Sequence, residues 1–307
     1  MSAPPPSLLL REHVVGDDVR RMAQDIADRH GDTVAAILFY GSRLRDESGA
    51  GILDFYVLVD DYRAFHGHRG AALANALVPP SVGFVPGGQS QSRFLGAKVA
   101  VIARTQFTDR LTRDALDTTL WARFCQPVAL AYCRDPESAA WVERTLSRAA
   151  ATAMDWAIRL GPVEGRAEDF WTALFRHTYA AELRVEGGGR AGQIYGFAPR
   201  EFDDAFARLS PPEVEALADG RYRVHLDESE RRHAQARWRR RRVAGKALNV
   251  LRLCKALFTF DGGVDYIVGK LERHSGQTIE LRPWQRRHPL LAAPGMVWSL
   301  YRRGVIR

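Results

Sequence analysis

Two apolar runs joined by a polar, glycine-bearing loop constrain this chain more than any other feature. TVAAILFY (33–40) and ILDFYVLV (52–59) are short, of the buried type, and rich in β-branched and aromatic residues, so each is expected to be a strand. The connecting GSRLRDESGAG carries the charges and glycines that end one strand and delay the next. Within the second run, Asp54 is the one side chain charged at neutral pH.

The neighbouring sequence completes a small mixed α/β sheet over roughly 30–135. Residues 17–30 set Val19, Met22 and Ile26 at helical spacing behind an aspartate cap. AALANALV (71–78) is expected to be a short helix closed by Pro79-Pro80, and 81–94, glycine-rich and polar, a loop or hairpin. AKVAVIA (97–103) is expected as a third strand, Thr105 to Phe124 as a helix, and PVALAY (127–132) as a fourth strand. From Asp135 the pattern turns helical, with amphipathic stretches at 136–160 and 167–186 and a glycine-led loop from 187 to about 200. Further helices are expected at 211–218, 230–258 and 263–276. This divides the chain into 1–140, 141–281 and a tail, 282–307, with a soft first boundary near 135–145.

At 307 residues the chain is long enough for one large domain or for two. Its formal net charge of +8 favours anionic partners: nucleotide, nucleic acid or acidic lipid. Cys125, Cys133 and Cys254 show no CxxC spacing and join no Cys/His cluster. That argues against a zinc site or a disulfide framework and for a reducing compartment. MSAPPPSLLLREHVV lacks both the apolar stretch of a signal peptide and the arginine pattern of a transit peptide. Nowhere do about 18 apolar residues run together to span a bilayer. A cytoplasmic protein able to sit at a membrane surface is the expectation.

The chemistry is expected at Tyr40-Gly41-Ser42-Arg43 and Leu53-Asp54-Phe55-Tyr56. In nucleotidyltransferases of the polymerase-β type, the N–H groups and hydroxyl of a Gly-Ser turn hold the triphosphate. A following strand then presents carboxylates at alternate positions to magnesium, which stabilises the pyrophosphate leaving group. Gly41, Ser42 and Arg43 would hold the nucleotide, with Arg45 near by, and Asp54 would ligand Mg2+. The plain alternative is an ordinary turn followed by a solvated strand acid. The alternate position after Asp54 is Tyr56, not a second acid. Asp60 shares the Asp54 face but lies roughly 20 Å along the strand, too far to share one ion. The third strand offers Lys98 where a carboxylate would stand. An ammonium on an apolar strand is costly to bury unpaired, so Lys98 would neutralise a phosphate, pair with Asp54, or snorkel to solvent.

These residues resemble a known family. FYGSRL…GILDFYVLVDD is similar to the tyrosine-Gly-Ser, Leu-Asp-Phe and Val-Asp-Asp of the mitochondrial-type CDP-diacylglycerol synthases (translocator assembly and maintenance proteins) and their bacterial relatives. LGAKVAVIARTQF resembles that family's lysine-bearing strand. LTRDALDTTLWARFCQPVAL resembles the helix and strand after it, through Trp121, Gln126, Pro127 and Val128. TYAAELRVE is a weaker echo through Tyr179, Glu182 and Arg184. The resemblance covers roughly 36–135 and, thinly, 165–190. It departs after Asp60-Asp61, where YRAFHGH stands in place of the family's Pro-x-x-Trp-His and only His66 and Asn75 are loosely kept.

The resemblance implies phosphatidate cytidylyltransferase activity: CTP and phosphatidic acid give CDP-diacylglycerol and pyrophosphate, with Mg2+ as cofactor. It implies an α/β fold, a nucleotidyltransferase-like mixed sheet domain followed by a mostly helical, winged-helix-like domain and a C-terminal amphipathic helix. It carries over Asp54 and Lys98 as catalytic, Glu182 as a second metal or ribose contact, and Arg184 as a substrate-phosphate contact. The acceptor phosphate is already ionised, so the chemistry does not demand a second carboxylate as general base.

Two basic stretches bear on partners. RRHAQARWRRRR (231–242) holds seven arginines in twelve residues, suited to lipid headgroups or nucleic acid, or else to a solvated helix face. The tail mixes Trp284, Trp298 and aliphatic residues with Arg302 and Arg303, the composition of an interfacial helix, or else of a helix packed on the core. The expectation is an enzyme peripheral on the inner face of the cell membrane, with CTP, phosphatidic acid and an anionic surface as partners and no stable nucleic-acid partner. Two other readings stand beside it. One keeps the chemistry on a soluble or RNA acceptor. The other is a non-catalytic nucleotide- or nucleic-acid-binding protein, suggested by Tyr56 and the arginine run.

Overall fold

The computed structural model describes residues 10–11, 15–45, 51–86, 94–181 and 190–259, together with Trp284, Gln285, Gly295 and Trp298 of the tail. The expected helix at 263–276 lies outside the described residues, as do Glu182, Arg184, Arg302 and Arg303.

Strand β1 (Leu10–Arg11) precedes helix α1 (Asp17–His30), and β2 (Val34–Tyr40) leads through the short α2 (Ser42–Arg45) to β3 (Gly51–Val59). Helices α3 (Tyr62–His66) and α4 (Arg69–Leu77) come next, then β4 (Ser81–Pro86), β5 (Phe94–Ala103), α5 (Arg104–Arg110), α6 (Thr119–Phe124) and β6 (Val128–Cys133). The strands form one mixed sheet in the order β1-β6-β2-β3-β5-β4. β2 runs antiparallel to β3 and β6, and β3 runs parallel to β5. Every residue of the central β2 is buried, because both faces of the sheet are covered.

The two faces have different partners. Leu53, Phe55, Val57 and Val59 point to the α1 side, against Met22 and Ile26. Asp54, Tyr56 and Leu58, one residue out of step, point the opposite way. The cap of α1 differs from expectation: Gly16 takes that position without a side-chain bond, and Asp17 and Asp18 sit in the first turn, where they favour the helix dipole.

The second face carries the helices. α7 (Pro136–Leu160) starts from Asp135, whose carboxylate accepts from Ser138 N at 2.7 Å, a cap contributing about 1 kcal/mol. It is followed by β7 (Glu164–Gly165), α8 (Ala167–Ala181), α9 (Arg190–Phe197), α10 (Pro199–Leu209), β8 (Val214–Ala216), β9 (Tyr222–Val224) and the long α11 (Glu228–Thr259). The three short strands make a second sheet, β7-β9-β8. One apolar core runs from Tyr56 and Leu58 through Phe124 and Trp156 to Trp171, Phe202 and Trp238. Position 140 lies inside α7.

The strands expected at 33–40, 52–59, 97–103 and 127–132 are β2, β3, β5 and β6. Of the two alternatives for 81–94 the hairpin is seen: residues 81–86 form β4, which pairs antiparallel with β5 from Ser81↔Val101 to Pro86↔Gly96. Three expectations are corrected. The helix expected from Thr105 to Phe124 is two helices, because Asp117 accepts from Thr119 N and restarts the chain as α6. The segment expected as a helix at 211–218 contains β8, held by pairing with β9, and the loop expected from 187 to about 200 contains α9. Among the described residues no helix is long and apolar enough to cross a membrane.

Candidate functional site

β2 runs out at Tyr40 and the chain turns back at Gly41, whose φ of +90° is open to glycine and strained for other residues. Space imposes the same choice: a Cβ on Gly41 would come within 2.7 Å of Asp54 Oδ2. Ser42 follows, exposed, as the first residue of α2.

Register then draws four side chains into one row. Tyr40 pairs with Asp54 across β2 and β3, Asp54 with Lys98 across β3 and β5, and Lys98 with Phe84 across β5 and β4. All lie at the same end of the sheet, on the face that carries the helices. Lys98 Nζ stands 3.9 Å from Asp54 Oδ1, with the lysine side chain 38% and the carboxylate 25% exposed. Lys98 thus stands within pairing distance of Asp54 with part of its side chain in solvent. A pair this open to water contributes about 0–1 kcal/mol to folding and leaves both charges within reach of a ligand.

The arginines around the turn are spoken for differently. Arg43 folds back over the start of β3, its Nε 3.2 Å from where a Cβ of Gly51 would stand, and its Nη1 is buried. The Arg45 guanidinium lies 5.6 Å from the centre of the Phe197 ring, linking the turn to α9. Arg123, which sequence reasoning did not single out, lies 4.9 Å from the centre of the Tyr40 ring and brings another cation beside the row. No local signal marks it, since its position depends on how α6 docks on the sheet.

The second-acid position is filled by an aromatic. Tyr56 is 3% exposed, its ring 5.2 Å from Tyr40 and 5.0 Å from Phe124. Asp60 lies past the end of β3 and binds Arg104 and Arg134 at 3.2 and 2.6 Å, while Asp61 caps α3 through Ala64 N at 2.7 Å. Neither approaches the row.

Among the described residues, no three His, Cys, Asp or Glu side chains are grouped to hold a metal ion. Magnesium, however, commonly takes one or two carboxylates plus substrate phosphates and keeps several waters. One partly exposed carboxylate beside a glycine turn fits that donor set, so Asp54 can serve as the protein's ligand to a phosphate-bound magnesium.

A separate cluster, also absent from the sequence reading, ties α11 to this half of the molecule. Asp117, 2% exposed, binds Arg252 and, at 3.3 Å, Arg110. Arg252 also donates to Pro79 O at 2.9 Å, and Lys255 to Pro80 O at 2.8 Å. Burial opposes ionisation of Asp117, yet the Arg252 guanidinium and the hydrogen bonds from Thr119 hold its carboxyl below the usual range. A cleft of about 620 Å³ lies on the other face of the sheet, lined by Ile26, His30, Phe65, Val99 and Val101, and does not include Asp54 or Lys98.

Of the tail, Trp284 and Trp298 are helical and exposed. No protein-family model matches this sequence, and no curated protein matches it.

Proposed function

We propose that the chain transfers CMP from CTP to phosphatidic acid, giving CDP-diacylglycerol and pyrophosphate. The observation that carries the reading is the row itself: Asp54 and Lys98 side by side at the Gly41 turn, an anion suited to a metal ion beside a cation suited to a phosphate. The resemblance of the surrounding sequence to the CDP-diacylglycerol synthases supports the lipid acceptor. In this reading the mixed sheet is a nucleotidyltransferase-like domain, and the helices with their small sheet are its winged-helix-like companion. The enzyme works from the inner face of the cell membrane.

Ser42 and the Gly41 backbone would bind the β- and γ-phosphate oxygens of CTP. An oxygen of the phosphatidate phosphate attacks the α-phosphorus, a new P–O–P bond forms, and the bond to the β-phosphate oxygen breaks to release pyrophosphate. The attacking oxygen is already ionised, so no proton has to be removed and Tyr56 in place of an acid is no obstacle. Lys98 balances the negative charge gathered where the two phosphates meet. Asp54 would hold the magnesium, which when bound shields the triphosphate and stabilises the departing pyrophosphate.

The test supplies CTP labelled on its α-phosphate, with magnesium and one of three acceptors: phosphatidic acid, glycerol 3-phosphate or an RNA end. The reading expects label in the organic phase with phosphatidic acid alone. Label confined to the soluble or RNA product, or none with folded protein, overturns it.

A further inference from the structure

Helix α11 divides its arginines between two opposite sides. Ala234, Trp238, Arg241 and Gly245 recur every three or four residues and are buried, with a Cβ on Gly245 falling 2.7 Å from Ala181 O of α8. Arg241 donates to the backbone oxygen of Arg113 at 2.6 Å and lies over the Trp156 ring. Arg231 donates to Gly161 O at 3.1 Å, and Arg237 pairs with Asp114 at 2.6 Å. Three of the seven arginines in the run therefore fasten the helix to the protein.

The opposite side is different. Arg239, Arg242, Val243, Lys246 and Val250 share one exposed stripe, begun by Arg232, which pairs at 3.9 Å with the exposed Glu228. Val243 is 73% and Val250 47% exposed. One exposed valine is ordinary, but two set among four cations, with no acidic residue from Arg231 to Thr259, make an interfacial composition.

Charge selects what can cover it. Residues 282–307 contain arginines and no acid, so the tail is repelled by the stripe. A second copy meeting through the same stripe would set like charges together. Nucleic acid would match the charge but gain nothing from Val243 and Val250. An anionic bilayer matches both, headgroups to the cations and the acyl boundary to the valines.

We propose that this stripe of α11 is a docking surface for an anionic phospholipid membrane. The proposal extends the lipid-substrate reading by naming the surface that brings the enzyme to its substrate, and its test does not depend on turnover. The full chain is sedimented with phosphatidylcholine vesicles with and without phosphatidylserine, an anionic lipid that is not the proposed substrate. Binding is expected only with phosphatidylserine. Reversing three charges (Arg239→Glu, Arg242→Glu, Lys246→Glu) should weaken it about a hundredfold, and Val243→Ser with Val250→Ser about tenfold. Asp54→Asn should bind as the wild type does, which separates this surface from the active site. A second measurement guards against misfolded variants: Val243→Cys carrying an environment-sensitive fluorophore should shift to the blue on the anionic vesicles. Wild-type affinity in either multiple variant, RNA-type behaviour in which charge matters and the valines do not, or an unshifted fluorophore overturns the proposal.

Discussion

Lys98 stands directly opposite Asp54 on the neighbouring parallel strand, ammonium and carboxylate 3.9 Å apart. Both are partly open to water, so the pair adds little to folding. What it does is place two opposite charges beside a turn that only glycine can make without strain.

Removing either charge should therefore separate activity from stability. Asp54→Ala and Lys98→Ala are each expected to lower CMP transfer about a hundredfold or more. Urea unfolding should show each variant within about 1 kcal/mol of the wild type. A large stability loss that accounts for the lost turnover would contradict the assignment.

Gly41→Ala tests the turn. The added Cβ meets Asp54 Oδ2 at 2.7 Å on a backbone with φ of +90°, so a loss of about 2 kcal/mol is expected, together with reduced transfer. Gly196→Ala is the control: it lies within α9 with nothing inside 4 Å, and should be stabilising by about 0.5–1 kcal/mol. Equal behaviour of the two in urea unfolding would remove the argument from Gly41.

Tyr56 is a core residue, which reverses the meaning of an obvious experiment. Introducing the acid that ordinary nucleotidyltransferases carry (Tyr56→Asp) would bury a carboxylate between the Tyr40 and Phe124 rings. It should lose about 3 kcal/mol or more, whatever its effect on chemistry. Tyr56→Phe keeps the packing and should retain transfer within about threefold, a loss of under about 1 kcal/mol. Abolished transfer in a folded Tyr56→Phe would give the phenol a role in the reaction.

Asp117 predicts an acid-sensitive anchor for α11. Its folded pKa lies below the ordinary 3.8, so the unfolded chain binds the proton more readily. Its stabilisation is fully present above about pH 4–5 and is lost as pH falls through 3.8 and below the folded value. Asp117→Asn should lose about 3 kcal/mol at neutral pH and show a flatter decline in acid. Parallel curves for wild type and variant across pH 2–6, followed by thermal unfolding, would contradict this.

Much of this fold is legible in the sequence because the central strands are continuous apolar runs with glycine or proline at their ends. β2, β3, β5 and β6 are found that way. β4 is not, since an edge strand with Gly83 and partial burial has neither a continuous run nor strict alternation. β8 is hidden for another reason: PPEVEAL favours a helix locally, and pairing with Tyr222–Val224 overrides it. At the site, the parity of β3 shows in advance that Asp54 and Tyr56 share a face. The register that sets Lys98 against Asp54, and the docking that brings Arg123 over Tyr40 and Arg45 over Phe197, are long-range and leave no local pattern. The arginine run at 231–242 looks uniform as sequence, yet helical geometry turns Arg241 inward and Arg239 and Arg242 outward.

We propose that the Asp54–Lys98 row performs nucleotidyl transfer to a lipid phosphate. Its most direct test is the organic-phase label formed from α-phosphate-labelled CTP and phosphatidic acid, measured side by side for the wild type and Asp54→Asn. Wild-type incorporation matched by an equal amount of pyrophosphate, and near-total loss in a folded Asp54→Asn, is the predicted result. No lipid-soluble label with the wild type, or equal label with both proteins, would contradict the account.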